Sequence, residues 1–152
     1  MSALEILHQE AFDKEIDVVY HPVCKGKKSM CLSDDGFKGI VIDNGALDSL
    51  GEEIVLLAEE LEHLAYGDLY SISEDFNTPT HRANRDRTER RARRRVVQRL
   101  LPAEKILECW RNGITTLYEM AEEFSPLPEK FILYAINDYR LYGELPQLWE
   151  TQ

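Results

Sequence analysis

Cysteine is scarce in this sequence, and its spacing excludes two kinds of stabilised fold. The 152 residues include three cysteines, Cys24, Cys31 and Cys109, and no pair has Cys-x-x-Cys spacing. An odd number without that spacing argues against a disulfide framework and against a structural zinc knuckle. We therefore expect a protein of a reducing compartment that is stabilised by a hydrophobic core.

A long hydrophobic run and a signal peptide are also lacking. No apolar stretch approaches the length that crosses a bilayer. The start, MSALEILHQEAF, carries Glu5 and Glu10 where a signal peptide has a basic start followed by an apolar run. These absences predict a soluble, cytoplasmic protein without a membrane partner. The length and the 43% hydrophobic content predict a single domain over residues 1–152.

Positive charge is concentrated in one segment. Residues 82–99 contain nine of the 18 Lys and Arg residues and two acidic residues, a net charge of +7, so the rest of the chain carries −17 and the total is −10. Because an acidic surface repels nucleic acid, phosphate contacts would be confined to this segment. A solvated face or an intramolecular partner for the acidic remainder is favoured over a nucleic-acid partner.

The order of patterns predicts an α+β fold, with a small N-terminal β-sheet and a mostly helical C-terminal part. A helix over residues 3–13 precedes three strands, IDVVYHP, SMCLS and GIVID, and DDG marks a turn between the last two. Longer helices follow over Gly51–Tyr66 and, after the loop SEDFNTPTH, over Asn84–Leu101. Three shorter helices then cover AEKILECWR, TTLYEMAEEF and PEKFILYAINDYRLY, and the last has the predicted core positions Phe131, Leu133, Tyr134 and Ile136.

The helix over Gly51–Tyr66 has an apolar stripe and a polar side. Glu59, Glu60 and His63 fall opposite the stripe. They form either a solvated acidic face or a metal site, in which Glu59 and His63 are ligands one turn apart and Glu60 is the general base. Leu56, between these polar residues, favours a side that lines a cleft. The stripe that should face the core consists of Ile54, Leu57, Ala58, Leu61, Leu64 and Ala65.

The arginine-rich helix places one carboxylate, Glu89, on its inward stripe. A buried carboxylate must be paired, hydrogen-bonded or metal-bound. Arg93 and Arg85 each lie one turn from Glu89, and either could form an ion pair with it. The pattern favours this ion pair and a role of Glu89 as third metal ligand equally. His81, in the preceding loop, could be the third metal ligand in place of Glu89, although a single histidine in a loop is more often exposed to solvent. The stripe continues through Ala92, Val96 and Leu100, and the residues predicted to point outward are Arg87, Arg91, Arg94, Arg95 and Gln98.

From residue 4 to about residue 140, the chain resembles the ImmA/IrrE family of small zinc metallopeptidases. The ordered matches are the strands IDVVYHP and GIVID, the helix segment LLAEELEH, and ERRARRRVVQRLLP, which is similar to the family pattern E-x-x-A followed by LL-x-P. ITTLYEMAEEFSPLPEKFILYAINDY is similar to the closing helical pair. The resemblance implies one Zn²⁺ per chain, held by Glu59, His63 and Glu89, with Glu60 as general base. Another divalent metal stays possible.

The chain departs from the family pattern at two places. Glu59 stands where most members have histidine, as in a phage-like branch with EExxH, and positions 93–95 are arginine. The resemblance implies a metal-dependent endopeptidase, encoded by a phage or mobile element, that cleaves a helix-turn-helix repressor. The alternative is a catalytically silent protein that binds the repressor without cutting it. Tyr66, Tyr70 and His81 are nearby in sequence as candidates for stabilising the oxyanion.

Overall fold

The computed structural model describes residues 1–23, 26–67 and 79–146, and it describes only the backbone of residues 79–82, 84 and 85. The chain divides into two compact units, Met1–Val96 and Val97–Gln152. The first unit contains a three-stranded sheet with helices, and the described part of the second is helical. This is the α+β fold, with an N-terminal sheet, that the sequence predicts. The expectation of a single domain stays a prediction.

The first unit begins with a capped helix that leads into the sheet. In α1 (Ala3–Asp13), the Ser2 hydroxyl accepts from the backbone N–H of Glu5, and the Glu5 carboxylate accepts from the backbone N–H of Ser2. This reciprocal capping box satisfies two N–H groups that have no partner within the helix. The strands are β1 (Ile16–Tyr20), β2 (Ser29–Asp34) and β3 (Phe37–Ile42). Strand β3 lies in the centre, parallel to β1 and antiparallel to β2.

The turn between β2 and β3 sets which side chains of β2 face the core. Asp34 pairs with Phe37, so only Asp35 and Gly36 lie in the turn, and both have positive φ, 43° and 83°. That is the two-residue type I′ geometry that an Asp-Gly pair favours, and it confirms the predicted turn. The resulting register places Ser29 opposite Ile42 and Cys31 opposite Ile40. Because both isoleucines are fully buried, Ser29 and Cys31 lie on the inner face of the sheet.

Helix α2 (Leu50–Tyr66) packs its apolar stripe against this inner face and α1. The Ser49 hydroxyl caps the helix start by accepting from the backbone N–H of Glu52, and Gly67, in the left-handed conformation, ends it. The predicted stripe is confirmed as far as Leu64. Ala65, in the last turn, is exposed, so the stripe is one residue shorter than predicted. The buried members are Ile54, Leu57, Ala58, Leu61 and Leu64.

Helix α3 (Pro79–Leu100) begins earlier than its apolar pattern indicates. Proline suits the first turn of a helix, because a backbone N–H at that position has no hydrogen-bond acceptor within the helix. Residues 79–81, which the sequence pattern places in a loop, are therefore helical. Residues 73–78 of that loop lie outside the described part of the chain. The helix ends just before Pro102, as predicted. None of the described helices is long and apolar enough to cross a membrane.

The second unit consists of the end of α3 and three helices, α4 (Ala103–Arg111), α5 (Leu117–Glu123) and α6 (Glu129–Leu141). The Tyr139 hydroxyl donates to the Leu101 carbonyl at 2.7 Å. Two predicted core positions, Leu133 and Tyr134, are wrong, because they are exposed. At 100° per residue they point away from the side that packs on α4 and α5. The buried positions of α6 are Phe131, Ile132, Ala135, Ile136 and Tyr139.

Candidate metal centre

The polar side of α2 is buried, so the interpretation of a solvated acidic face is wrong. Glu60 and His63 are 8% and 6% exposed, and the Glu59 side chain is 13% exposed. Side chains of β2 and α3 contact these residues, as described below. Leu56, between them, is half-buried. A polar helix side that is covered in this way must find hydrogen bonds or counter-charges inside the protein.

His63 and Glu89 lie together across the contact between α2 and α3. His63 Nε2 is 3.4 Å from Glu89 Oε2. Burial by itself lowers the pKa of His63, but the contact with Glu89 and the charges of Glu60, Glu89 and Glu59 outweigh it, so this pKa lies above its ordinary value. The other ring nitrogen, Nδ1, is buried and finds no hydrogen-bond partner among the described residues.

Glu89 lies at the edge of the inward stripe of α3 and not inside it. Ala92 and Val96 are buried as predicted, whereas the Glu89 side chain is 53% exposed. This exposure corrects the premise that the carboxylate is buried. It also leaves Glu89 open to water on one side while it faces His63 on the other. The side chain of Arg85, one of its predicted ion-pair partners, lies outside the described residues.

Glu59 is paired with the other predicted partner of Glu89. The Arg93 guanidinium forms an ion pair with the Glu59 carboxylate, and the Arg93 side chain is 39% exposed. Burial raises the pKa of Glu59 to about 7, Arg93 opposes this rise, and the negative charges of Glu60 and Glu89 add to it. The charge of Arg93 therefore does not offset the combined effect of burial and the neighbouring carboxylates on this pKa.

Glu60 is held from the strand side. The Ser29 hydroxyl donates to Glu60 Oε1 at 2.9 Å. Cys31, two residues further along the same face of β2, has a pKa raised first by burial and then by the charges of Glu60 and Glu89. The thiol therefore stays protonated beside the carboxylates. Sequence reasoning missed Ser29 and Cys31, although their alternation in the predicted strand SMCLS places them on one face.

One arginine that the sequence pattern places on the outer side of α3 contacts α2 instead. Arg95 lies 3.3 Å from Glu62 Oε2, and its guanidinium carbon lies 3.9 Å from the centre of the Tyr66 ring. The expectation that Arg95 points away from the core helices is wrong, because a long flexible side chain reaches round the helix to a carboxylate. Arg93 and Arg95 thus confirm an intramolecular partner for part of this segment. Arg87 and Arg91 are exposed as predicted.

Of the three candidates for stabilising the oxyanion, only Tyr66 has a described side chain. Tyr66 is 63% exposed and lies under Arg95. Tyr70 lies outside the described residues, as does the side chain of His81. The oxyanion role and the competing-ligand role of His81 therefore stay predictions.

The separation of His63 and Glu89 is that of an ion pair, and it is also compatible with two ligands of one zinc ion. Two donor atoms bound at about 2.0–2.2 Å with a tetrahedral angle lie roughly 3.4 Å apart, the separation of His63 Nε2 and Glu89 Oε2. The third predicted ligand, Glu59, forms an ion pair with Arg93. The described residues contain no group of three or more His, Cys, Asp or Glu side chains arranged to hold a metal ion. Imidazole and carboxylate are ordinary zinc donors, so the residues present fit the ion in their chemistry.

No protein-family model, curated protein or solved structure matches this chain. The assignment of the site consequently depends on the side chains themselves. They are a histidine, three glutamates, a serine, a cysteine and an arginine from two helices and one strand.

Proposed function

We propose that the protein is a metal-dependent endopeptidase, with zinc as the first candidate for its metal. The observation that carries the proposal is the separation of His63 and Glu89 at a zinc-ligand distance, next to the buried carboxylate of Glu60. His63 and Glu89 would hold the ion, with Glu59 as the third ligand. When bound, such an ion polarises the scissile carbonyl and makes water a better nucleophile at neutral pH.

The residues of the chain supply positioning and proton transfer. Glu60 lies next to Glu59 on α2 but is not needed as a ligand, so its carboxylate is available to take a proton from the attacking water and pass it to the leaving amine. The Ser29 hydroxyl donates to one oxygen of this carboxylate and so helps to fix its orientation. Burial of Glu60 limits the access of bulk water to this carboxylate.

The proposed substrate is a helix-turn-helix repressor encoded by the same phage or mobile element. This part of the proposal depends on the resemblance of the segments LLAEELEH and ERRARRRVVQRLLP to the ImmA/IrrE family. A cytoplasmic location is proposed with it, because a repressor acts where the DNA is.

A second function is favoured by the ion pair between Glu59 and Arg93. Because the Arg93 guanidinium occupies the Glu59 carboxylate, the site would suit a protein that keeps the metallopeptidase fold and binds the repressor without cutting it. This catalytically silent anti-repressor needs no metal, because Arg93 already supplies a positive charge to the buried carboxylate.

Replacement of Glu60 by glutamine separates the two functions. A positioned general base typically contributes about 10²- to 10⁴-fold to the rate. Glu60→Gln should therefore retain the fold and bound metal and lose at least about 100-fold of the cleavage rate. The parent and the variant are loaded with Zn²⁺ and incubated with the neighbouring helix-turn-helix repressor, and fragments are followed by intact mass.

The matched control is Glu53→Gln, an equivalent change on α2 at a carboxylate that contacts Tyr20. It should cleave like the parent. If parent, Glu60→Gln and Glu53→Gln all bind the repressor tightly and none yields fragments with any divalent metal, the silent anti-repressor is the better description.

A further inference from the structure

The two departures of this chain from the metallopeptidase pattern contact each other. Glu59 stands at the first ligand position of α2, and Arg93 lies in the arginine run of α3. These two side chains form an ion pair in which the carboxylate is largely buried. A change at the ligand position is thus accompanied by a cation that compensates it.

The ion pair is one of two equivalent contacts between the helices. Glu59 and His63 are four residues apart on α2, and Glu89 and Arg93 are four residues apart on α3. Glu59, the earlier residue on α2, contacts Arg93, the later residue on α3. His63, the later residue on α2, contacts Glu89, the earlier residue on α3. This is the pattern of two antiparallel helices, with the contacts about one helical turn, or roughly 5.4 Å, apart.

Side chains one turn apart on a helix are close enough to share a ligand. A change of the Glu59 rotamer would bring its carboxylate toward His63 and Glu89. The carboxylate would then leave Arg93. A divalent ion at His63 and Glu89 would also lie within one turn of the guanidinium, and like charges at that distance repel each other.

We propose that Arg93 and the metal ion compete for Glu59, so that Arg93 lowers the metal affinity of the resting protein. This inference rests on the proposed metal site. Arg93 thereby acts as a counter-ion for Glu59 when the metal is absent, and it must release Glu59 before the third ligand is supplied. The alternative role for Arg93, orienting Glu59 from behind while Glu59 binds the ion, has the opposite consequence, because loss of such support weakens metal binding.

The test is the zinc affinity of Arg93→Gln, measured by competition with a chelating dye. We expect binding at least about tenfold tighter than in the parent, on the scale of outer-shell changes in metal sites. Co²⁺ absorption provides a second readout, because its bands report whether an additional ligand has joined the ion. Arg95→Gln is the matched control, since it removes an arginine of the same helix that contacts Glu62, which is not a proposed ligand, and it should bind zinc like the parent.

Arg93→Lys keeps the charge if the glutamine variant is poorly folded, as judged by circular dichroism. Its zinc affinity should stay close to that of the parent, because the competing positive charge is still present. Equal affinity of parent and Arg93→Gln, or weaker binding by Arg93→Gln, would overturn the competition and leave the metal site intact. Absence of zinc binding in the parent and in all three variants would overturn the metal site itself.

Discussion

The two sides of α2 are both buried, but they are buried by different interactions. One side presents Leu57 and Leu61 to the sheet and α1, and neither is more than 1% exposed. The other presents Glu59, Glu60 and His63 to side chains of α3 and β2. The first side is stabilised by removal of apolar surface from water, whereas the second requires a specific partner for each group.

The difference between these sides indicates what each contributes. Apolar packing tolerates replacement by other side chains of similar volume, and it fixes where α2 lies. The polar side brings the carboxylates of Glu59 and Glu60 close to that of Glu89, and Arg93 and His63 lie among them. Such a concentration of like charge works against stability, and it provides the negative potential that a divalent cation requires. The two sides should therefore respond differently to substitution, in stability and in metal affinity respectively.

The largest expected effect on stability is at the apolar side. Leu57 is fully buried between α2 and the sheet, and Leu57→Ala removes that packing and leaves a cavity. We expect a loss of about 3 kcal/mol in the free energy of unfolding, within the range of about 2–5 kcal/mol for such changes. Urea denaturation measures it. The zinc affinity of the fraction that remains folded should be unchanged, and a large loss of affinity would show that the two sides are not separable.

Much of the fold follows from local patterns in the sequence. The strands, the Asp35-Gly36 turn and the apolar stripe of α2 each depend on periodicity or on a glycine at positive φ. The start of α3 was misplaced because Pro79 can open a helix well before its apolar pattern starts. The parallel pairing of β1 with β3 has no local signal, because it joins residues more than twenty positions apart.

The candidate site could be predicted in part. Glu59, Glu60 and His63 were found because they lie one turn or less apart on a single helix. The contact of His63 with Glu89 agrees with the predicted set, whereas the ion pair of Arg93 with Glu59 was not among the predicted pairs. Pairing between helices depends on their relative register, which the sequence of either helix does not contain. Ser29 was missed for the same reason, since the strand had to be placed against α2 first.

A second prediction concerns the polar side, where metal affinity should change more than stability. Glu89→Ala removes a proposed ligand from a half-exposed position. We expect the metal content of gently purified protein to fall from near one ion per chain to near zero. The affinity should drop by more than the 10- to 100-fold that is typical of outer-shell changes. Metal analysis and dye competition provide the measurements.

His63→Ala should lose metal in the same way, and together the two variants test the ligand pair. Glu62→Gln is a suitable control because Glu62 contacts Arg95 and is not itself a proposed ligand. Full metal content in Glu89→Ala would leave Glu89 as a partner of His63 alone and would remove it from the ligand set.

The smallest effect is expected on the outer side of α3. Arg87 and Arg91 are exposed, and Arg95 is excluded from this set because it contacts Glu62. The double variant Arg87→Gln/Arg91→Gln should change the free energy of unfolding by no more than about 0.5 kcal/mol, because exposed charges are screened by water and salt. Zinc affinity should also match that of the parent. Since the rest of the chain is strongly acidic, neither protein should bind a DNA column at physiological salt. Salt-sensitive retention of the parent that disappears in the double variant would instead assign this side of α3 to nucleic-acid binding.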